Sequence, residues 1–162
     1  MVVVGMIPRF LARKQWVLAG GILLVVLVDR LTKYLAQSYL SVRGSVPIGP
    51  LLKLTYVENS GAAFGLFSGG NLFFVLVTLV VVALALRYYH DIVRSSSDNV
   101  WYALVVGGAL GNLIDRLALG LVIDFIDLGF WPVFNVADSC LSIGIAGYLV
   151  EHWLETRKKK KS

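Results

Sequence analysis

The stretch NVWYALVVGGALGNLIDRLA (Asn99–Ala118) decides the fold class. It is twenty residues long, and its only charged residues are Asp115 and Arg116 at the far end. Twenty residues at 1.5 Å rise per residue span a hydrocarbon layer of about 30 Å. Three further stretches match it: Trp16–Ala36, Asn71–Tyr89 and Phe134–Leu154. Backbone groups at bilayer depth find no water, so all four spans are expected to be helices. The run VLVTLVVVALAL (Val75–Leu86) is β-branched enough to suggest a strand, but its length and lack of breaks favour a membrane helix.

Composition agrees. Of 162 residues, 57% are hydrophobic and 15% charged, against about 25% charged in an ordinary globular chain. That excludes disorder and disfavours a water-soluble domain. The single cysteine, Cys140, excludes an internal disulfide framework and a cysteine-rich metal site, and reads as a small buried apolar residue. The segment Met1–Gln15 carries Arg9, Arg13 and Lys14 before an apolar run too long for a signal-peptide core, so the first helix is expected to remain as an anchor.

Ten of the fifteen basic residues fall on one side: the N-terminal arm, the loop Arg87–Asp98 and the tail Arg157–Lys161. The opposite side has only Arg43 and Lys53. The positive-inside rule then places both termini in the cytoplasm. The lysine tail reads as a solvated segment facing anionic lipid, with no nucleic-acid role. The expected fold is an all-α membrane protein of one domain, residues 1–162, with four transmembrane helices.

The first outer loop, Gln37–Gly70, holds the strand-like LLKLTYV, in which Leu52, Leu54 and Tyr56 alternate with Lys53 and Thr55. With its turn signals, Pro47, Gly49, Pro50, Gly61, Gly65, Gly69 and Gly70, it reads as a small β-rich extracytoplasmic platform lying on the membrane. The second outer loop, Leu119–Val133, is apolar yet holds Asp124 and Asp127.

Ionisable residues in a span are costly and face a protein interior or a wet cavity. Here they are Asp29, Arg30, Lys33, Asp115, Arg116 and Asp138. The topology brings Asp29, Asp115 and Asp138 to the outer half of the bilayer, level with Asp124. Asn112 with Asp115, and Asn135 with Asp138, are i, i+3 pairs that share a helix face. Asp29 and Lys33 are i, i+4 and read as a structural ion pair; Asp115 and Arg116 read as a second internal pair. Asp124 and Asp138 lack a basic neighbour in sequence, which makes them better candidates for acid–base chemistry. Asp138 and Asn135 also stand where helix caps would. Asp127 and Glu58 read as solvated, and Gly107, Gly108 and Gly111 as a close helix contact.

Both histidines, His90 and His152, lie on the side away from the acids, and there is no HExxH, which disfavours a zinc protease. A carboxylate cluster suits Mg²⁺ or Ca²⁺. Apolar surroundings and amide partners suit two carboxyls sharing a proton, which activate water without metal or cofactor. The partner of Asp138 in such a pair stays open between Asp124 and Asp115. Two other classes compete: a small proton-coupled transporter or channel subunit, and a non-catalytic assembly factor with purely structural acids.

Five blocks resemble the lipoprotein signal peptidases (signal peptidase II) in family order: VDRLTK (Val28–Lys33), VENSGAAFGLF (Val57–Phe67), GGALGNLIDR (Gly107–Arg116), VIDFID (Val122–Asp127) and FNVADS (Phe134–Ser139). The resemblance implies an inner-membrane aspartyl endopeptidase of bacteria, with its site facing the outer leaflet. It implies Asp124 and Asp138 as the catalytic pair. Asn59, Gly61, Asn112, Arg116 and Asn135 would bind substrate or support that pair, and Asp29, Lys33 and Asp115 would be structural. The implied partners are membrane lipid, a prolipoprotein signal peptide with its diacylglyceryl cysteine, and globomycin-type inhibitors; no cofactor is implied. A lid around Asn59, Gly61 and Phe64 is expected. The link IDLGFWP (Ile126–Pro132) is shorter than in many relatives, so its gating is expected to differ.

Overall fold

The computed structural model describes residues 9–61 and 70–160, with side chains from residue 15 onward. The side chains of Arg9, Arg13 and Lys14, the lid and turn residues Phe64, Gly65 and Gly69, and Lys161 lie outside the described residues. In chain order the elements are α1 (Arg9–Arg43), β1 (Val46–Pro47), β2 (Lys53–Asn59), α2 (Asn71–Arg87), α3 (Tyr89–Ile92), α4 (Ser96–Leu119), β3 (Val122–Asp127) and α5 (Val136–Lys159).

The helices overrun the apolar windows because capping, not hydropathy, sets their ends. Helix α1 continues to Arg43 and stops at Gly44, whose φ of 73° turns the chain left-handed. Helix α4 starts on a reciprocal box, in which the Ser95 hydroxyl accepts from the Asp98 amide and the Asp98 carboxylate from the Ser95 amide. It ends at Gly120, φ 76°. Helix α5 runs through Arg157 to Lys159, so most of the expected solvated tail is helical. Among the described residues two helical segments, Gln15–Arg43 and Ser96–Leu119, are long and apolar enough to cross a membrane; α2 is a shorter apolar helix of 17 residues.

The sheet is where the sequence reading needs correction. It has three strands in the order β1-β2-β3, all antiparallel, with Lys53 opposite Asp127 and Val57 opposite Asp124. The third strand comes from the second outer loop, so the platform is not a product of the first loop alone. Leu54 and Tyr56 pack with Ile126 and Val46 on a small core of Ala36, Leu40 and Phe125, which seats the sheet on the C-terminal end of α1. Asp127 keeps part of its side chain exposed and is also held in place: it accepts from Thr55 Oγ1 (3.0 Å) and the Gly129 amide (2.7 Å) and pairs with Lys53 (3.3 Å). Glu58 is exposed, as expected.

Helix α4 is central, packed on α1 and α5. A Cβ on Gly107 would lie 2.7 Å from Val25 Cβ, and one on Gly108 would lie 2.5 Å from the Ala137 carbonyl. The small residues thus let α1 and α5 approach the α4 backbone closely. The result is inverted relative to a water-soluble protein. Leu23, Leu24, Leu27, Leu31 and Leu76 are exposed, whereas Asp29, Lys33, Asp115 and Asn135 are all 0% exposed. Such a surface is stable against lipid rather than water.

Candidate active site

Two polar clusters share the interior where α1, α4, β3 and the start of α5 meet. The first is ionic. Lys33 Nζ lies 2.8 Å from Asp29 Oδ2 and 2.8 Å from Asp115 Oδ2, and donates to Asn112 Oδ1 at 2.9 Å. Three oxygens thus surround the ammonium. Arg30 pairs with the other oxygen of Asp115. Asp29 Oδ1 accepts from the Ala137 amide at 2.9 Å, which ties α1 to the first turn of α5. Two acids and two bases cancel in charge.

Asp115 does not pair with Arg116, contrary to the sequence expectation. Consecutive helical residues do not face each other. Asp115 points to α1, and Arg116 points away, with its guanidinium 5.2 Å from the centre of the Phe74 ring. The partner the sequence reading missed is Arg30. Its i, i+3 spacing to Lys33 places both cations on one face of α1 and was the available signal.

The second cluster is built on amides. Asn135, fully buried, is its hub. Its Nδ2 donates to Asp124 Oδ1 (2.7 Å), and its Oδ1 accepts from the Asp138 amide (2.8 Å). Its own amide donates to Asp138 Oδ2 (3.2 Å). Asn135 and Asp138 thus form the capping box of α5, and the cap reading and the functional reading apply to the same atoms. Asn112 Nδ2 donates to Asp138 Oδ1 at 2.7 Å, while its Oδ1 is held by Lys33. Lys33 thereby fixes which end of the Asn112 amide faces Asp138. Asn59 Nδ2 donates to Asp124 Oδ2 at 2.9 Å, and Asn59 Oδ1 accepts from the Gly61 amide at 3.0 Å.

Asn59, Gly61, Asn112, Asp124 and Asp138 line a cavity of about 270 Å³. Its polar lining is Asn59, Asn112, Arg116, Asp124 and Asp138; Phe74 and the segment Trp131–Phe134 give it an apolar wall. Sequence reading missed that second wall. The shortness of the link before Phe134 was its only signal. Burial pushes the Asp124 carboxyl up to about 6. Hydrogen bonds from Asn59 and Asn135 and the Lys33 cation oppose the rise, and the neighbouring Asp138 adds to it.

The two residues left open as the partner of Asp138 differ in their surroundings. Asp115 is saturated by cations, whereas Asp124 opens on the same cavity as Asp138. No cluster of three or more His, Cys, Asp or Glu with metal-site geometry occurs among the described residues.

Comparison with known proteins fits this geometry. Residues 21–154 match the family model for signal peptidase (SPase) II. The chain belongs to the signal peptidase II family. The lipoprotein signal peptidase of Thermodesulfovibrio yellowstonii is 46% identical over 137 residues, covering 82% of this chain and 91% of its own. That of Caldanaerobacter subterraneus subsp. tengcongensis is 49% identical over 130 residues, covering 78% and 90%. A solved bacterial membrane enzyme superposes with a TM-score of 0.74 at 30% identity, over 89% of this chain and 91% of that one. A signal peptidase II is a peptidase and a membrane protein, which accounts for the inverted surface of this chain.

Proposed function

We propose that this chain is an intramembrane aspartyl endopeptidase that removes the signal peptide from diacylglyceryl-modified prolipoproteins, on the N-terminal side of the lipid-modified cysteine. The observation that carries the mechanism is the pair Asp124 and Asp138. They share one cavity, are bridged by Asn135, and their hydrogen bonds come from neutral amides only.

Two such carboxyls hold one proton between them. With Asp124 raised to about 6, it is the proton carrier of the free enzyme, and Asp138 is the base. Ionised Asp138 takes a proton from water as the water oxygen bonds to the scissile carbonyl carbon. Asp124 gives its proton to the carbonyl oxygen. The tetrahedral intermediate collapses as the C–N bond breaks. The proton on Asp138 goes to the leaving cysteine nitrogen, and one intermediate hydroxyl returns its proton to Asp124. Arg116, Asn59 and the Gly61 turn hold the substrate backbone.

In this reading the four apolar helical stretches all span the cytoplasmic membrane, both termini are cytoplasmic, and the cavity faces the outer leaflet. The diacylglyceryl group lies in lipid beside the cavity and positions the scissile amide with little freedom left to lose. Globomycin-type peptides compete for the same cavity.

The test is a gel-shift cleavage assay in detergent with a diacylglyceryl-modified prolipoprotein. Cleavage is expected to need the lipid and to be blocked by globomycin. Asp124→Asn and Asp138→Asn are each expected to lower kcat at least about 10³-fold, toward the loss seen when one member of a catalytic unit is removed. Their unfolding transitions stay near that of the wild type. Turnover retained in either variant overturns the dyad.

A further inference from the structure

At the other end of α4 and α5 lies a second polar cavity, about 300 Å³, that the peptidase reading does not use. Its walls include Arg94, Asp98, His152, Glu155, Thr156 and Lys159. The three α5 residues His152, Glu155 and Lys159 stand at i, i+3 and i+7, one face of the helix turned to the start of α4.

Asp98 is 1% exposed. Its Oδ2 closes the α4 capping box, accepting from the Ser95 and Arg94 amides at 2.7 and 2.8 Å. Its Oδ1 has no hydrogen-bond donor among the described residues. His152 Nε2 is 3.7 Å away, too far for a hydrogen bond. A buried carboxylate oxygen without a donor costs more than an ordinary hydrogen bond returns. The oxygen has no surface open to the cavity, so Asp98 acts there as a negative charge and not as a contact.

The charges say what kind. A bare anion suits Arg94 and Lys159 but is repelled by Asp98 and Glu155. A bare cation has the opposite mismatch. A ligand with an N–H-bearing cation linked to a nearby phosphate satisfies both sets at once. In the topology proposed above, the cavity lies at the cytoplasmic boundary of the membrane. Trp153, beside His152, is half exposed, with the Arg157 guanidinium 4.0 Å from its ring centre, the arrangement of an interfacial belt.

We propose that this cavity binds the headgroup of an aminophospholipid, phosphatidylethanolamine in chemistry. Its ammonium donates to Glu155 in the negative field of Asp98, and its phosphate meets Arg94 and Lys159. The lipid clamps α5 to α4 at the end opposite the dyad, and the site stands whether or not the dyad assignment does.

The test is native mass spectrometry of the purified full-length chain with equimolar phosphatidylethanolamine, phosphatidylcholine and phosphatidylglycerol of matched acyl chains. Phosphatidylethanolamine is expected to be retained about tenfold over phosphatidylcholine, whose trimethylated nitrogen has no N–H to give. Glu155→Gln and Lys159→Gln, which leave the α4 cap intact, are expected to erase that preference while leaving cleavage in detergent unchanged. Soluble O-phosphoethanolamine is expected to displace the lipid only in large excess. Equal retention of the two lipids, or an unchanged preference in both variants, overturns the proposal. So does displacement at equimolar O-phosphoethanolamine, which makes the ligand a soluble one.

Discussion

The two polar clusters around Asn112 hold the same kind of group, buried carboxyls, and treat it in opposite ways. Asp29 and Asp115 face Lys33 and Arg30, so each negative charge has a positive one in contact. Asp124 and Asp138 face amides, which donate hydrogen bonds but carry no charge. A cation locks a carboxylate in its ionised form and leaves it nothing to exchange. An amide orients the carboxyl and leaves its proton free to move. The difference is therefore between a tether and a titratable pair, although both are built from aspartates at one level of the molecule.

The largest way to break this division is Lys33→Met. It leaves Asp29 and Asp115 with Arg30 alone, in a fully buried site. Removing one partner of a buried ion network costs about 3–5 kcal/mol. Unfolding in detergent is expected to show that loss, with a partial return in Lys33→Met/Asp29→Asn, which removes one of the stranded charges. A Lys33→Met variant of unchanged stability and abolished cleavage would move Lys33 out of the tether and into the reacting group. Its contact with Asn112 makes that outcome conceivable in structural terms.

A smaller perturbation separates packing from charge. Gly111 passes directly over the tether: a Cβ there would lie 2.6 Å from Asp29 Oδ2 and 3.3 Å from Ala137 Cβ. Asp29 is held by Lys33 and by the Ala137 amide, so it has no room to yield. Gly111→Ala is expected to cost about 1–3 kcal/mol, the range for overpacking. The measurement is the same unfolding transition, and a neutral result would show the contact between α1 and α4 to be looser than its geometry implies.

Much of this arrangement was legible in the sequence. Span lengths and directions already brought Asp29, Asp115, Asp124 and Asp138 to one level, and the i, i+3 spacings already put each asparagine beside its aspartate. Two things were not legible. The first was who neutralises Asp115, because the answer lies on another helix; Arg116 is adjacent in sequence and remote in direction. The second was β3. Alternation marks strands with one wet face, but Val122–Phe125 are buried on both faces, so no period of two appears. Without that strand, Asp124 reads as a loop residue. With it, the pairing of Val57 with Asp124 and of Asn59 with Val122 sets Asn59 beside the acid it contacts. The choice of Asp124 over Asp115 came from family resemblance at the sequence level; in the structure Asp115 contacts two cations, whereas Asp124 shares a cavity with Asp138.

The finest test concerns the titratable pair itself. The Asn59 amide donates to Asp124 Oδ2 and so favours the ionised carboxyl, holding its pKa down against burial. Asn59→Ala removes that donor, and the pKa rises further above about 6. In the proposed mechanism Asp124 is the acid, so its proton loss forms the alkaline limb of kcat/KM for the free enzyme. That limb is expected near pH 6 in the wild type and displaced upward by about one unit or less in Asn59→Ala. Stability carries the same sign. A carboxyl near 6 in the fold and about 3.9 in the unfolded chain binds more protons when folded, so its contribution is complete below about pH 4 and is lost as pH rises toward 6. In Asn59→Ala the window of loss extends to higher pH. A limb that moves downward, or one that also responds to Asp29→Asn as strongly as to Asn59→Ala, would mean that the tether and the pair titrate as one unit and that the division between them fails.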